Sequence, residues 1–143
     1  MNDQIQLPWH FWLIGVLALL WNGFGCFDYF MTRSHNAAHL AQFPPEVIAW
    51  VDSAPLYASI GWGLGVWGAL VGAILLLLRR ALAVWAFVIS LVGLALSSIW
   101  QHLLSTPPPT MPAGSGIMAG VIWVVAIGLL YYSWRAKRCG WLR

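Results

Sequence analysis

The chain has 143 residues, 61% of them hydrophobic and 8% charged, with a formal net charge of +3. An ordinary soluble domain is roughly 45–50% apolar and about 25% charged, so these few charges cannot cover the outside of a water-soluble fold. That excludes a soluble enzyme or a nucleic-acid-binding module, leaves the lipid bilayer as the solvent, and makes the positive charge an orientation signal.

Segments of about 20 apolar residues, enough to cross a bilayer, occur four times in chain order. Met1–Pro8 carries only Asp3 and lacks a basic leader, so the first segment, Trp9–Met31, reads as a retained span and not a cleaved signal. Residues 32–55 form the long connection. Within it Phe43-Pro44-Pro45 breaks the chain, and PEVIAWVD reads as a short amphipathic helix. Pro45 suits its first turn and Glu46 complements the dipole there. That helix is expected to lie on the membrane surface or to cap the bundle. Leu56–Leu78 is the second span and Leu82–Leu104 the third; the turn LLRRAL between them makes the two antiparallel neighbours. The proline-rich STPPPTMPAGS cannot continue a helix, and Gly116–Trp134 is the fourth span. Eleven tryptophans suit the headgroup boundary. The expected fold is therefore an all-α membrane protein, a single four-transmembrane-helix bundle over residues 1–143.

Basic residues set the threading. The Arg79–Ala81 turn and the C-terminal tail hold Arg79, Arg80, Arg135, Lys137, Arg138 and Arg143, whereas the opposite side has Arg33. The positive-inside rule then places both termini in the cytoplasm. Cys26 and Cys139 fall on opposite sides, which forbids a disulfide between them.

Spacing marks the faces. Gly61, Gly65, Gly68 and Gly72 recur at intervals of 4, 3 and 4 on one side of the second span, a small-residue stripe of the kind that lets helices approach closely. Gly116 and Gly120 offer a similar edge on the fourth span. Gly15, Ala18, Asn22 and Gly25 share a face of the first, and Ser90, Gly93, Ser97 and Gln101 a face of the third.

Polar residues gather toward the outer end. Asn22 and Asp28 on the first span and Ser97, Gln101 and His102 on the third reach similar depths. Intramembrane polar groups face the bundle interior and need partners. Asn22 is expected to tie the first and third spans together through Ser97 or Gln101, with a polar lining for an outward cavity as the alternative. Asp28 and His102 meet if those spans touch. If the first helix continues beyond the membrane, Asp28, His35 and His39 share one face, and HNAAH has the i, i+4 geometry by which two imidazoles can hold a divalent metal. No cofactor other than such a metal is indicated. A catalytic motif is missing from the sequence; Ser98 and His102 at i, i+4 with Asp28 nearby are only the residue types of acyl transfer.

At LPWHFWLIGVLALLWNGFGCFDYFMT, FPPEVIAWVDSAP and the closing GWLR the chain resembles a family of small four-span bacterial inner-membrane proteins often labelled "sugar transporter" by automatic transfer. The resemblance implies this topology and supplies no catalytic or binding residue. Three functions are expectations at this point. One is an oligomeric small-solute transport or solute-binding module that uses the Gly61–Gly72 stripe between copies. The second is a non-enzymatic accessory subunit of a larger membrane complex, and the third an outward-facing metal sensor.

Overall fold

The computed structural model describes residues 5–143, and among them every regular element is helical, with no strand. The elements are α1 (Trp9–Arg33), α2 (Ala37–Leu40), α3 (Pro45–Asp52), α4 (Leu56–Leu77), α5 (Leu82–Ile99) and α6 (Ser115–Arg138). A π-helical turn over Trp100–Leu104 prolongs α5, closed by Ser105 N donating to Trp100 O at 2.9 Å. Four helices are long and apolar enough to cross a membrane, the third of them Leu82–Leu104 with its π turn. Exposed large hydrophobics cover all four from end to end. This is an integral, multi-pass membrane protein.

The helices pack in the series α1 on α4, α4 on α5, α5 on α6. The α4–α5 contact is the closest, and glycine makes it so. A Cβ on Gly61 would sit 2.8 Å from Gly93 O, one on Gly72 2.8 Å from the Phe87 ring, and one on Gly93 2.5 Å from Gly61 O. Gly65 and Gly68 meet Leu94 and Ser90 at 3.4 and 3.3 Å. The stripe expected between copies is therefore occupied within the chain, because the short α4–α5 turn folds α5 straight onto it. Gly116 and Gly120 depart from expectation in the other sense. A Cβ on either would meet nothing within 4 Å, so no helix packs against this edge of α6.

One end of the bundle is tight. Phe11, Leu76, Ala83, Phe87 and Ala136 are buried there in one cluster with Leu142. The C-terminal segment is sewn to the α4–α5 turn: Arg143 N donates to Arg79 O and Ala81 N to Arg143 O, both at 2.7 Å, and Arg79 Nε donates to Trp141 O at 3.1 Å. Arg79 adopts the left-handed conformation at φ 59°. This arginine end thus gathers the basic turn and the basic tail in space.

At the opposite end, the loop end, α1 stops at Arg33. Ser34 N donates back to Phe30 O, and His35 turns left-handed at φ 53°, so the helix does not continue to His39. Asn36 caps the short α2 by accepting from His39 N at 3.0 Å. The amphipathic helix forms over the residues read from the sequence, Pro45–Asp52, with Val47 buried. Trp50 stacks on Trp100 with ring centroids 5.1 Å apart and donates from Nε1 to Ser105 Oγ at 3.2 Å. α3 therefore caps the π-turn end of α5.

Candidate functional site: a cleft between α1 and α6

α1 and α6 join at the arginine end, where His10 Nδ1 and the Tyr132 hydroxyl are hydrogen-bonded at 2.9 Å. Toward the loop end they diverge, and the space between them is a cavity of about 560 Å³ walled at the back by α4 and α5. Its floor is Phe87, Ala69 and Leu129, and its upper rim Asp28, His39, Phe43 and His102. The α6 wall is apolar: Met118, Ala119, Ile122, Val125 and Ala126, with the ring of Trp123. Polar groups stand on the α1 and α5 walls.

Asn22 lines this cavity and is 9% exposed. Its Nδ2 is enclosed with no hydrogen-bond partner. It forms no bond to Ser97 or Gln101, so it is not the tie between the first and third spans that its depth suggested. The physical reason is the packing order: α1 rests on α4 and not on α5, which leaves the cavity between Asn22 and the pair Ser97 and Gln101. Gln101 Nε2 instead donates to Ser97 Oγ at 2.9 Å on its own helix. Ser90 Oγ donates to Gly65 O at 2.6 Å across the α4–α5 contact.

Asp28 and His102 both reach the rim, but among the described residues no hydrogen bond or ion pair joins them. Asp28 Oδ1 accepts from His39 Nε2 at 3.0 Å, and Asp52 Oδ2 accepts from His35 Nε2 at 3.1 Å. The two histidines thus serve different carboxylates. The metal set Asp28, His35, His39 is not assembled, because the break after Arg33 turns His35 away from the α1 face. No three histidine, cysteine, aspartate or glutamate side chains converge on one point among the described residues.

Several features of the site escape sequence reading. Trp123 Nε1 donates to Ser98 Oγ at 3.3 Å, which pins the indole across the cavity. The π turn has no sequence signature; it sets Trp100 inward against Trp50 while Gln101 and His102 line the cavity. A second, smaller cavity of about 210 Å³ lies under α3, and Trp62, Ser97 and Gln101 line both. That trio is the partition between them.

No family model, characterised protein or solved structure matches this chain. What the cleft can do follows from its chemistry alone. Concave sites of about 300–1,000 Å³ lined by apolar and aromatic groups, with a few convergent polar ones, are the usual form of a small-molecule site. Among the described residues no hydrogen bond orients the His102 imidazole, and Asp28 is held by His39.

Proposed function

We propose that this chain is a solute-binding protein of the bacterial inner membrane, acting as a binding or transport module, with both termini and the Arg79–Ala81 turn in the cytoplasm. The carrying observation is Asn22: a buried amide with an enclosed, unpartnered nitrogen at the wall of a formed cavity. A buried donor without an acceptor costs about 1–3 kcal/mol. A packing role removes that cost by pairing the amide, whereas a binding role leaves it available for a ligand. The clustering of Arg79, Arg80 and the basic tail at one end supports the orientation through the positive-inside rule. The chain acts without catalysis in this reading.

The test is mass measurement on the intact protein. After mild detergent extraction, native mass spectrometry should show a small-molecule adduct on the wild-type chain, and Ala119→Trp, which fills the cleft, should remove it. Identical bare masses for both proteins contradict the proposal.

A second reading has its own support. Gly116, Gly120 and Gly128 leave a small-residue edge of α6 uncovered, as an accessory subunit of a membrane complex, or a further copy of the chain, would require. Native gels of the same extract, with the chain running alone and no protein co-purifying, count against it.

A further inference from the structure

The solute-binding reading leaves open what is bound and from which side it arrives, and the shape of the cleft addresses both. The residues that line the cavity and are also exposed are Trp21 and Phe24 on α1 and Met118 and Ile122 on α6, with the polar Gln42 and His102 beyond them at the loop end. Phe24 is 71% and Met118 52% exposed. Phe24 follows His10 by 14 residues and Met118 precedes Tyr132 by 14, so the two face each other level with one another beyond the His10–Tyr132 bond. At about 1.5 Å per residue that level is about 21 Å from the bond, within a hydrocarbon layer about 30 Å thick. Between α1 and α6 the mouth therefore opens sideways onto lipid tails, while its rim at the loop end, with Gln42 and His102, is polar.

The walls carry opposite chemistry. A molecule lying in the cleft has apolar side chains of α6 along one flank. Along the other it meets Asn22, Ser97 and Ser98 on α1 and α5. Asn22 Nδ2 is enclosed without a partner, so the complementary group is one that accepts a hydrogen bond, and one that also donates serves the amide in its flipped setting. A hydroxyl does so whichever way the amide is turned. A free sugar has polar groups on all sides and would desolvate several of them against α6 without replacement. Resting on the solute-binding reading, we infer that the ligand is an apolar-bodied amphiphile bearing a hydroxyl, which enters from the bilayer between α1 and α6 and sets that hydroxyl against Asn22.

The experiment uses the full-length protein in phosphatidylcholine nanodiscs with two photoactivatable probes. One is a twelve-carbon primary alcohol with a mid-chain diazirine, and the other is the same diazirine chain without the hydroxyl. Cross-links mapped by mass spectrometry are scored as cleft labelling at Trp123 and Ala126 relative to lipid-facing Val124. The alcohol should favour the cleft over the alkane by about five-fold or more, the factor that corresponds to about 1 kcal/mol of hydrogen bonding. Asn22→Leu should bring the alcohol down to the alkane level, and Ala119→Trp should abolish cleft labelling by both. Equal cleft labelling by the two probes, or an alcohol preference that survives Asn22→Leu, overturns the assigned ligand class. No cleft labelling by either overturns entry from the bilayer. The native-mass adduct judges the solute-binding reading separately in each of these cases.

Discussion

Gly93→Ala probes the contact that holds the cleft's back wall. The added methyl would sit 2.5 Å from Gly61 O, 2.7 Å from Gly65 N and 2.8 Å from Leu64 Cβ. Carbon atoms prefer about 3.5–4.0 Å, so the Leu64 contact is short by about 1 Å. The other two obstacles are backbone atoms that cannot rotate aside. α4 and α5 must separate along the ladder from Gly61 to Gly72, at an overpacking cost of about 1–3 kcal/mol. Alanine's better helix propensity offsets about 1 kcal/mol of that, which leaves a net loss of up to about 2 kcal/mol. Gly120→Ala is the matched control, because its methyl meets nothing within 4 Å and only the propensity gain remains. Thermal unfolding in mild detergent, followed by far-ultraviolet circular dichroism, should lower the midpoint for Gly93→Ala and leave it level or raised for Gly120→Ala. A Gly93→Ala protein as stable as wild type, with Gly120→Ala the damaging change, would refute the packing order described here.

Three further outcomes follow from individual residues. Asn22→Leu removes an enclosed donor that has no acceptor, so the unliganded protein should gain about 1–2 kcal/mol in the same melting assay; a loss of stability means the amide has a structural partner. Trp50→Phe gives up the bond to Ser105 and part of the stack on Trp100, a change of about 1 kcal/mol, and should speed amide exchange across Pro45–Asp52 while sparing α1. At Arg79, glycine accepts φ 59° freely whereas valine costs about 1–2 kcal/mol in that conformation; Arg79→Val should therefore melt below Arg79→Gly, and the reverse order contradicts the clasp geometry.

Much of the frame is written in local sequence. Four apolar runs, the Pro45 start of α3 and the period of Gly61 to Gly72 each depend on neighbours in the chain, and each lies where the spacing puts it. What packs on the stripe is a different kind of question. The glycines announce a close approach without naming the partner, and the α4–α5 turn supplies it inside the chain. The left-handed turn after α1 was hidden because Arg33-Ser34-His35-Asn36 contains no glycine or proline, yet His35 takes a positive φ there. That single turn separates His35 from Asp28 and undoes the metal face drawn by extending the helix. The depth of Asn22, Ser97 and Gln101 was readable. Their separation was not, because depth along the membrane normal says nothing about which helices touch. The cleft itself arises from the divergence of α1 and α6, a relation between segments about 100 residues apart.

That divergence is most directly tested by nuclear Overhauser contacts in lipid nanodiscs, with methyl groups labelled on Met118 and Ile122. An open cleft predicts contacts from those methyls to lipid acyl chains and none to the rings of Trp21 or Phe24, while Tyr132 and His10 remain in contact at the arginine end. Strong contacts from Met118 to Phe24 and from Ile122 to Trp21, without lipid signals, would mean that α6 lies along the whole of α1 and that no lateral mouth exists.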